Sequence, residues 1–160
     1  MQNNGYVIDA NWKRKFIPIW GAQIFSLLGS GLVQFALVWY ITQQTGSAAL
    51  LATATFVALL PDVLIAPFAG ALVDRLNRRV MMIIADGAIA ITTLGLVLLF
   101  AFDRIEVWHI FVVLFLRSLG GTFHWPAMQS STSLMVPEQH LSRFAGLNQA
   151  VRGGLNIIAP

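Results

Sequence analysis

Several residues of this chain stand where their chemistry is costly. Arg117 lies about ten residues into an apolar run, roughly 15 Å along a helix at 1.5 Å per residue. A charge held at mid-bilayer depth costs roughly 2.5–3.5 kcal/mol on insertion scales, so it must face a bundle interior or water. Gly120, Gly121 and His124 follow at the third, fourth and seventh positions, on the same helical face. That face sets a cation beside small residues, which let another helix or a ligand come close. It serves either a structural ion pair or hydrogen bond to a neighbouring helix, or a coupling site in a polar passage. Asp62 stands inside another apolar run, directly after Pro61, with Thr55 seven residues earlier on its face. It is able to carry a proton, or to pair with Arg117 or with a residue elsewhere. Asp86 lies only about six residues into a third run, near a basic loop, and is expected to pair with Arg78 or Arg79. Gln23, Ser26, Ser30 and Gln34 recur at helical spacing and form a polar stripe on one face. The stripe faces inward, where it lines a water-filled cavity or joins helices.

Other chemistries find no support. Gly70, Gly120-Gly121 and Gly153-Gly154 do not stand in a G-x-x-x-x-G-K-[ST] loop, so ATP-driven pumping within this segment is not expected. His109, His124 and His140 are scattered, without H-E-x-x-H or a carboxylate at ligand spacing, and no metal or other cofactor is expected. No Ser/His/Asp constellation stands out, so the chain is not expected to be an enzyme. The absence of cysteine excludes a disulfide scaffold and thiolate zinc or iron–sulfur sites. Ten Lys and Arg form no long basic run, so no nucleic-acid partner is expected.

The elements that must carry these residues are membrane spans. Of 160 residues, 57% are hydrophobic and only 11% charged, and the mean hydropathy is +0.72. A soluble domain carries about a quarter charged residues, and a span needs about 20 apolar ones. The fold class is therefore an all-α integral membrane protein with four transmembrane helices plus part of a fifth. After an N-terminal segment over 1–15, the spans are expected at 16–41, 48–73, 80–102, 107–128 and 144–160. The last stops without a polar flank, so the chain reads as truncated. Seven Lys and Arg flank the spans on the side of the N-terminus and one, Arg104, lies on the other. That imbalance puts the N-terminus in the cytoplasm of a multi-pass protein of the cell (inner or plasma) membrane. Trp12, Trp20, Trp39, Tyr40 and Trp108 lie near span ends, where interfacial anchors belong.

Between the second and third expected spans stands GALVDRLNRR, Gly70 to Arg79. An acid at a helix end followed by Arg75, Arg78 and Arg79 makes a compact charged latch. The segment resembles the G-x-x-x-D-R-x-G-R-R/K loop of the major facilitator superfamily of secondary transporters, with Asn77 where glycine is usual. Asn is the next best residue at a left-handed turn. Arg117-Ser118-Leu119-Gly120-Gly121 resembles the family's R-x-x-x-G element. Phe123 to Ala127, Val136-Pro137 and Gly146 to Gln149 are similar to the branch that holds macrolide-efflux and enterobactin-export permeases. The resemblance implies about twelve helices in two halves, this chain giving most of the first, with substrate bound near the bilayer midplane and reached by alternating access. It implies that Asp74, Arg75 and Arg79 steady one access state, that Arg117 takes part in proton coupling, and that Gly121 permits close packing. The expected partners are a small-molecule substrate, protons, the lipid bilayer and the remainder of the chain. The expected function is a proton-coupled exporter of drug-like or siderophore-like molecules. The alternatives are a truncated membrane module that scaffolds or regulates a partner, and a lipid flippase of the same fold.

Overall fold

A computed structural model describes residues 12–158 of the chain, with the side chains of Val73, Asp74, Arg78, Arg152, Leu155, Asn156 and Ile158 excepted. The described residues form five helices: α1 (Trp12–Thr45), α2 (Ala48–Arg75), α3 (Arg78–Ala101), α4 (Val107–Met135) and α5 (Glu138–Ile158). No strand occurs among the described residues. The first four helices are long and apolar enough to cross a membrane. Their large apolar residues are widely exposed, among them Phe25, Phe56, Val63, Phe68 and Ile91. That is the arrangement a lipid solvent favours and water does not.

Short turns separate the helices, each with a local cause. Gly46 takes a left-handed φ of +57° and its N–H reaches the Thr42 carbonyl at 3.0 Å, closing α1. Ser47 then caps α2 by accepting from the Leu50 N–H at 3.3 Å. Beyond α3, Asp103 adopts φ 52°; its N–H bonds the Phe100 carbonyl, and the Arg104 N–H bonds the Leu99 carbonyl. These two bonds make a Schellman stop, with Asp at a position that favours glycine. The stretch from Gln129 to Met135 is polar but continues α4, because nothing breaks the helix until Pro137 and the residue before it.

The loop between α2 and α3 departs from the expectation at Asn77. Its φ is −69°, not left-handed, and its side chain accepts from the Arg79 and Val80 N–H groups at 3.1 and 3.4 Å. Asn77 is thus the N-cap of α3, a role for which Asn ranks among the best residues. Asn77→Ala is expected to lower the stability of the helix start by about 1 kcal/mol, and Asn77→Gly by only a few tenths. Thermal unfolding of the two variants in detergent checks the order.

The described chain divides into two compact units. In the first, residues 12–33 of α1 lie along α5 in parallel. Trp12 meets His140 with ring centroids 5.5 Å apart, Phe16 meets Phe144 at 4.9 Å, and the Trp20 indole N–H donates to Asn148 Oδ1 at 2.7 Å. Each pair is separated by 128 positions, so the two helices advance in step. Phe144 also packs edge-on against Trp12 and Trp20, contacts worth about 0.5–1.5 kcal/mol each beyond their burial. Trp12 and Trp20 therefore serve helix packing, whereas Trp39 and Trp108 keep more than half of their surface exposed.

The second unit, Gln34–Ser130, holds the end of α1, all of α2 and α3, and most of α4. Its core joins small residues, Ala54, Ala69, Ala85 and Ala127, to Ile41, Ile110 and Leu114. Small residues let membrane helices approach where the solvent itself is apolar. The most enclosed helix is α4, with 39% of its apolar window buried against 11% for each of the other three spans.

Candidate functional site

One side of α4 carries the site. Arg117, Gly120 and His124 recur every three or four residues and meet α3 in the antiparallel sense. The Arg117 guanidinium Nη1 donates to Thr93 Oγ1. One turn on, Gly120 lies against Ile89: a Cβ there would stand 2.8 Å from Ile89 Cγ1 and 3.4 Å from the Ala85 carbonyl. One turn further, His124 Nε2 faces Asp86 Oδ1 at 3.4 Å, an ion pair when the imidazole is protonated. As the α4 number rises from 117 to 124, the α3 partner falls from 93 to 86. The two helices form a seam with a polar pair at each end and a glycine contact between them.

Arg117 and His124 are 8% and 5% exposed, so neither charge has bulk water to solvate it. The Thr93 hydroxyl accepts from Arg117 while donating to the Ile89 carbonyl at 2.7 Å. Both sides of that hydroxyl are used, which holds the guanidinium in one place.

A second contact joins α4 to α2. Thr122 is 4% exposed, and its Oγ1 lies 2.5 Å from Asp62 Oδ1 and 2.9 Å from the Ser118 carbonyl. Five residues separate Thr122 from Arg117, about 140° around the helix. Asp62 and Arg117 are therefore served by different faces of α4. Asp62 is bound to Thr122, and Asp86 reaches across to His124 rather than along its own helix toward Arg79.

The other residues singled out in the sequence are placed as follows. Among the described residues nothing lies within 4 Å of where a Gly121 Cβ would stand, and the close approach to α3 is made by Gly120. Gly70 is half-buried and equally free of close neighbours among the described residues. Arg75 and Arg79 are exposed, while the side chains of Asp74 and Arg78 lie outside the described residues. In the first unit Gln23 and Ser30 are half-buried and Ser26 is exposed; in the second, Gln34 is half-buried. Gln23 Oε1 is buried without a hydrogen-bond partner among the described residues, a costly state for an acceptor in an apolar setting.

Thr93 and Thr122 are the bonded partners of Arg117 and Asp62 that reasoning from charge passes over. Thr92, Thr93 and Thr122 all bond the carbonyl four residues back. Residue type alone does not distinguish the two that also bridge to a neighbouring helix. On the flank of the α3–α4 seam lies an apolar groove of about 230 Å³, lined by Met81, Ile84, Ala88, Leu116, Leu119 and Phe123 among others. Arg117, His124 and Asp62 are not in its wall.

Comparison with known proteins gives one consistent result. The family model described as "Major Facilitator Superfamily" matches residues 19–160. The chain is 40% identical over 150 residues to macrolide efflux protein A of Streptococcus pyogenes, covering 94% of this chain and 37% of that protein. It is 37% identical over 115 residues to macrolide efflux protein A of Enterococcus faecalis, covering 72% of this chain and 35% of that protein. It is 29% identical over 110 residues to the multidrug efflux pump Tap of Mycolicibacterium fortuitum, covering 69% and 27%. The chain thus spans little more than a third of the length of the curated relatives it matches. No solved structure matches it significantly.

Proposed function

Because this chain belongs to the Major Facilitator Superfamily, we propose that it forms the first part of a secondary transporter that exports drug-like molecules, macrolides foremost, in exchange for protons. The observation that carries export is the 40% identity, over 94% of the chain, to proteins named for macrolide efflux. Relatives named for macrolide and multidrug efflux favour a drug-like over a siderophore-like cargo.

Coupling to protons is supported by the side chains α4 holds within its apolar length. Arg117, His124 and, through Thr122, Asp62 bring one fixed cation and two titratable groups into a single four-helix unit. Groups of this kind are expensive in a bilayer and mark ion pathways when they face a bundle interior. Transport then proceeds by alternating access around a site near the midplane, to which the remainder of the chain supplies the second half. The exposed Arg75 and Arg79, with Asp74, steady one access state by meeting that second half at the cytoplasmic face. The cell membrane is the location, with the N-terminus inside, as the excess of Lys and Arg on that side supports.

Cells expressing the complete protein and loaded with a radiolabelled macrolide test the reading. Efflux is expected to collapse on adding a protonophore and to survive ATP depletion while the proton gradient is clamped. Efflux that ignores the protonophore and follows ATP removes proton exchange from the proposal.

A further inference from the structure

The hydroxyl of Thr122 meets two oxygens, and it has one proton to give. Its Oγ1 lies 2.9 Å from the Ser118 carbonyl and 2.5 Å from Asp62 Oδ1. A carbonyl only accepts, and an ionised carboxylate only accepts. Both contacts are full hydrogen bonds when Asp62 is the neutral acid: its O–H donates to Thr122 Oγ1, and the Thr122 O–H donates to the Ser118 carbonyl. Thr93 in the same unit offers the parallel case, since it donates to the carbonyl four residues back and accepts from Arg117 on the next helix. The geometry at Thr122 is that arrangement with a carboxylic acid in place of the guanidinium.

Both partners stand beside weakened turns. Pro61, directly before Asp62, has no N–H for the Val57 carbonyl in α2, and Pro126 has none for the Thr122 carbonyl in α4. Pro126 is the one proline inside α4. Helices bend most readily at such places.

We propose that Asp62 is the proton-carrying group of this half and that Thr122 is its positioning residue, relaying the protonation state of Asp62 to the proline-weakened turn of α4. The proposal rests on the proton-exchange reading above. In the loaded state the acid donates to Thr122 and the hydroxyl proton stays on the Ser118 carbonyl. When Asp62 releases its proton to water, no other bond breaks: the carboxylate keeps the electron pair, and the Thr122 O–H turns from Ser118 to Oδ1. The Ser118 carbonyl is then left with its peptide N–H partner alone. One proton thus exchanges a bond within α4 for a stronger, charge-assisted bond between α4 and α2. Apart from Asp74, Arg75, Arg78, Arg79 and His109 near the helix ends, the other ionisable groups on the helices packed in this unit are Asp86 on α3, Arg117 and His124 on α4 and Tyr40 on α1. Arg117 is held by Thr93 and His124 faces Asp86, whereas Tyr40 packs on Phe100. Asp62 is the carboxyl group in contact with Thr122.

The complete transporter in proteoliposomes, carrying a radiolabelled macrolide across a series of pH values, tests this. Asp62→Asn is expected to lose gradient-driven transport by at least about tenfold while keeping gradient-free exchange of the macrolide. Thr122→Val removes the acceptor of the neutral acid and the donor to the carboxylate; the second loss is the larger, because charge-assisted bonds are about twice as strong. The pH midpoint of transport therefore moves up by about one unit, and Thr122→Ser restores it. In difference infrared spectra, a protonated-carboxyl band is expected in the wild type, absent in Asp62→Asn and shifted in Thr122→Val; this reading needs no turnover. A wild-type pH dependence that Thr122→Val leaves in place, with an unshifted band, overturns the role of Thr122. Gradient-driven transport retained in Asp62→Asn overturns the role of Asp62. A wild type without any pH dependence overturns the proton-exchange reading and this inference with it.

Discussion

With Arg117 replaced by alanine, gradient-driven efflux by the complete transporter is expected to fall about a hundredfold or more, while the protein still inserts and survives solubilisation. The two effects have separate causes. Removing a guanidinium from the middle of an apolar helix relieves roughly 2.5–3.5 kcal/mol of insertion cost. It also leaves the Thr93 hydroxyl with an unused acceptor, at about 1–3 kcal/mol. These nearly cancel, so expression and thermal stability change little. Transport does not share the compensation. A preorganised charge held in place by a neighbouring hydroxyl contributes about 2.7–4 kcal/mol where charge moves, which is a hundredfold or more in rate. Arg117→Lys supplies charge without the planar fork and is expected to recover only part of the loss. Efflux by Arg117→Ala within about twofold of the wild type, at equal protein level, makes Arg117 a helix fastener and nothing more.

The second large effect separates two adjacent glycines. Gly120→Ala sets a methyl group 2.8 Å from Ile89 Cγ1 and 3.0 Å from its Cδ1, with the Ala85 carbonyl 3.4 Å behind. Ile89 must move, and overpacking of this kind costs about 1–3 kcal/mol, which outweighs the roughly 0.8–1.0 kcal/mol that alanine gains as a helix former. The same push parts the seam that aligns Arg117 with Thr93 and His124 with Asp86, so activity falls together with stability. Gly121→Ala meets nothing within 4 Å among the described residues, and alanine is the better helix former by about 0.8–1.0 kcal/mol. Melting temperatures in detergent are expected to fall for the first variant and to rise or hold for the second. A lower melting temperature for Gly121→Ala would mean that Gly121 is closely packed in the complete protein.

This pair of glycines also marks how far the sequence was readable. Arg117 and His124 are seven residues apart, and that spacing alone assigns them to one side of a helix. The span count followed from apolar lengths that no soluble helix needs. Gly120 and Gly121, however, are both within reach of the same face by spacing, and only the approach of α3 chooses between them. The partner of Asp62 was illegible for a chemical reason. Charge looks for charge in a sequence, and Asp62 is bound by a hydroxyl whose ordinary use is to its own helix. The contacts of Trp12 and Trp20 were illegible in a related way: an indole at the end of an apolar run suits a membrane interface, and nothing in its position announces that it also packs on Phe144, more than 120 residues away. Asn77 was ascribed to a turn because glycine is usual there, while its side-chain oxygen does what glycine cannot, by capping α3.

The direction in which the α4 contacts run has a consequence for biosynthesis. The partners that α4 uses across the second unit, Asp62, Asp86, Ile89 and Thr93, all precede it in the chain. Chains are made from the N-terminus at about 5–20 residues per second and fold in that order. When the most polar of the four spans leaves the ribosome, the side chains that neutralise its insertion penalty have been synthesised for several seconds. Arg117 and His124 can then enter the bilayer against a hairpin that already carries these partners.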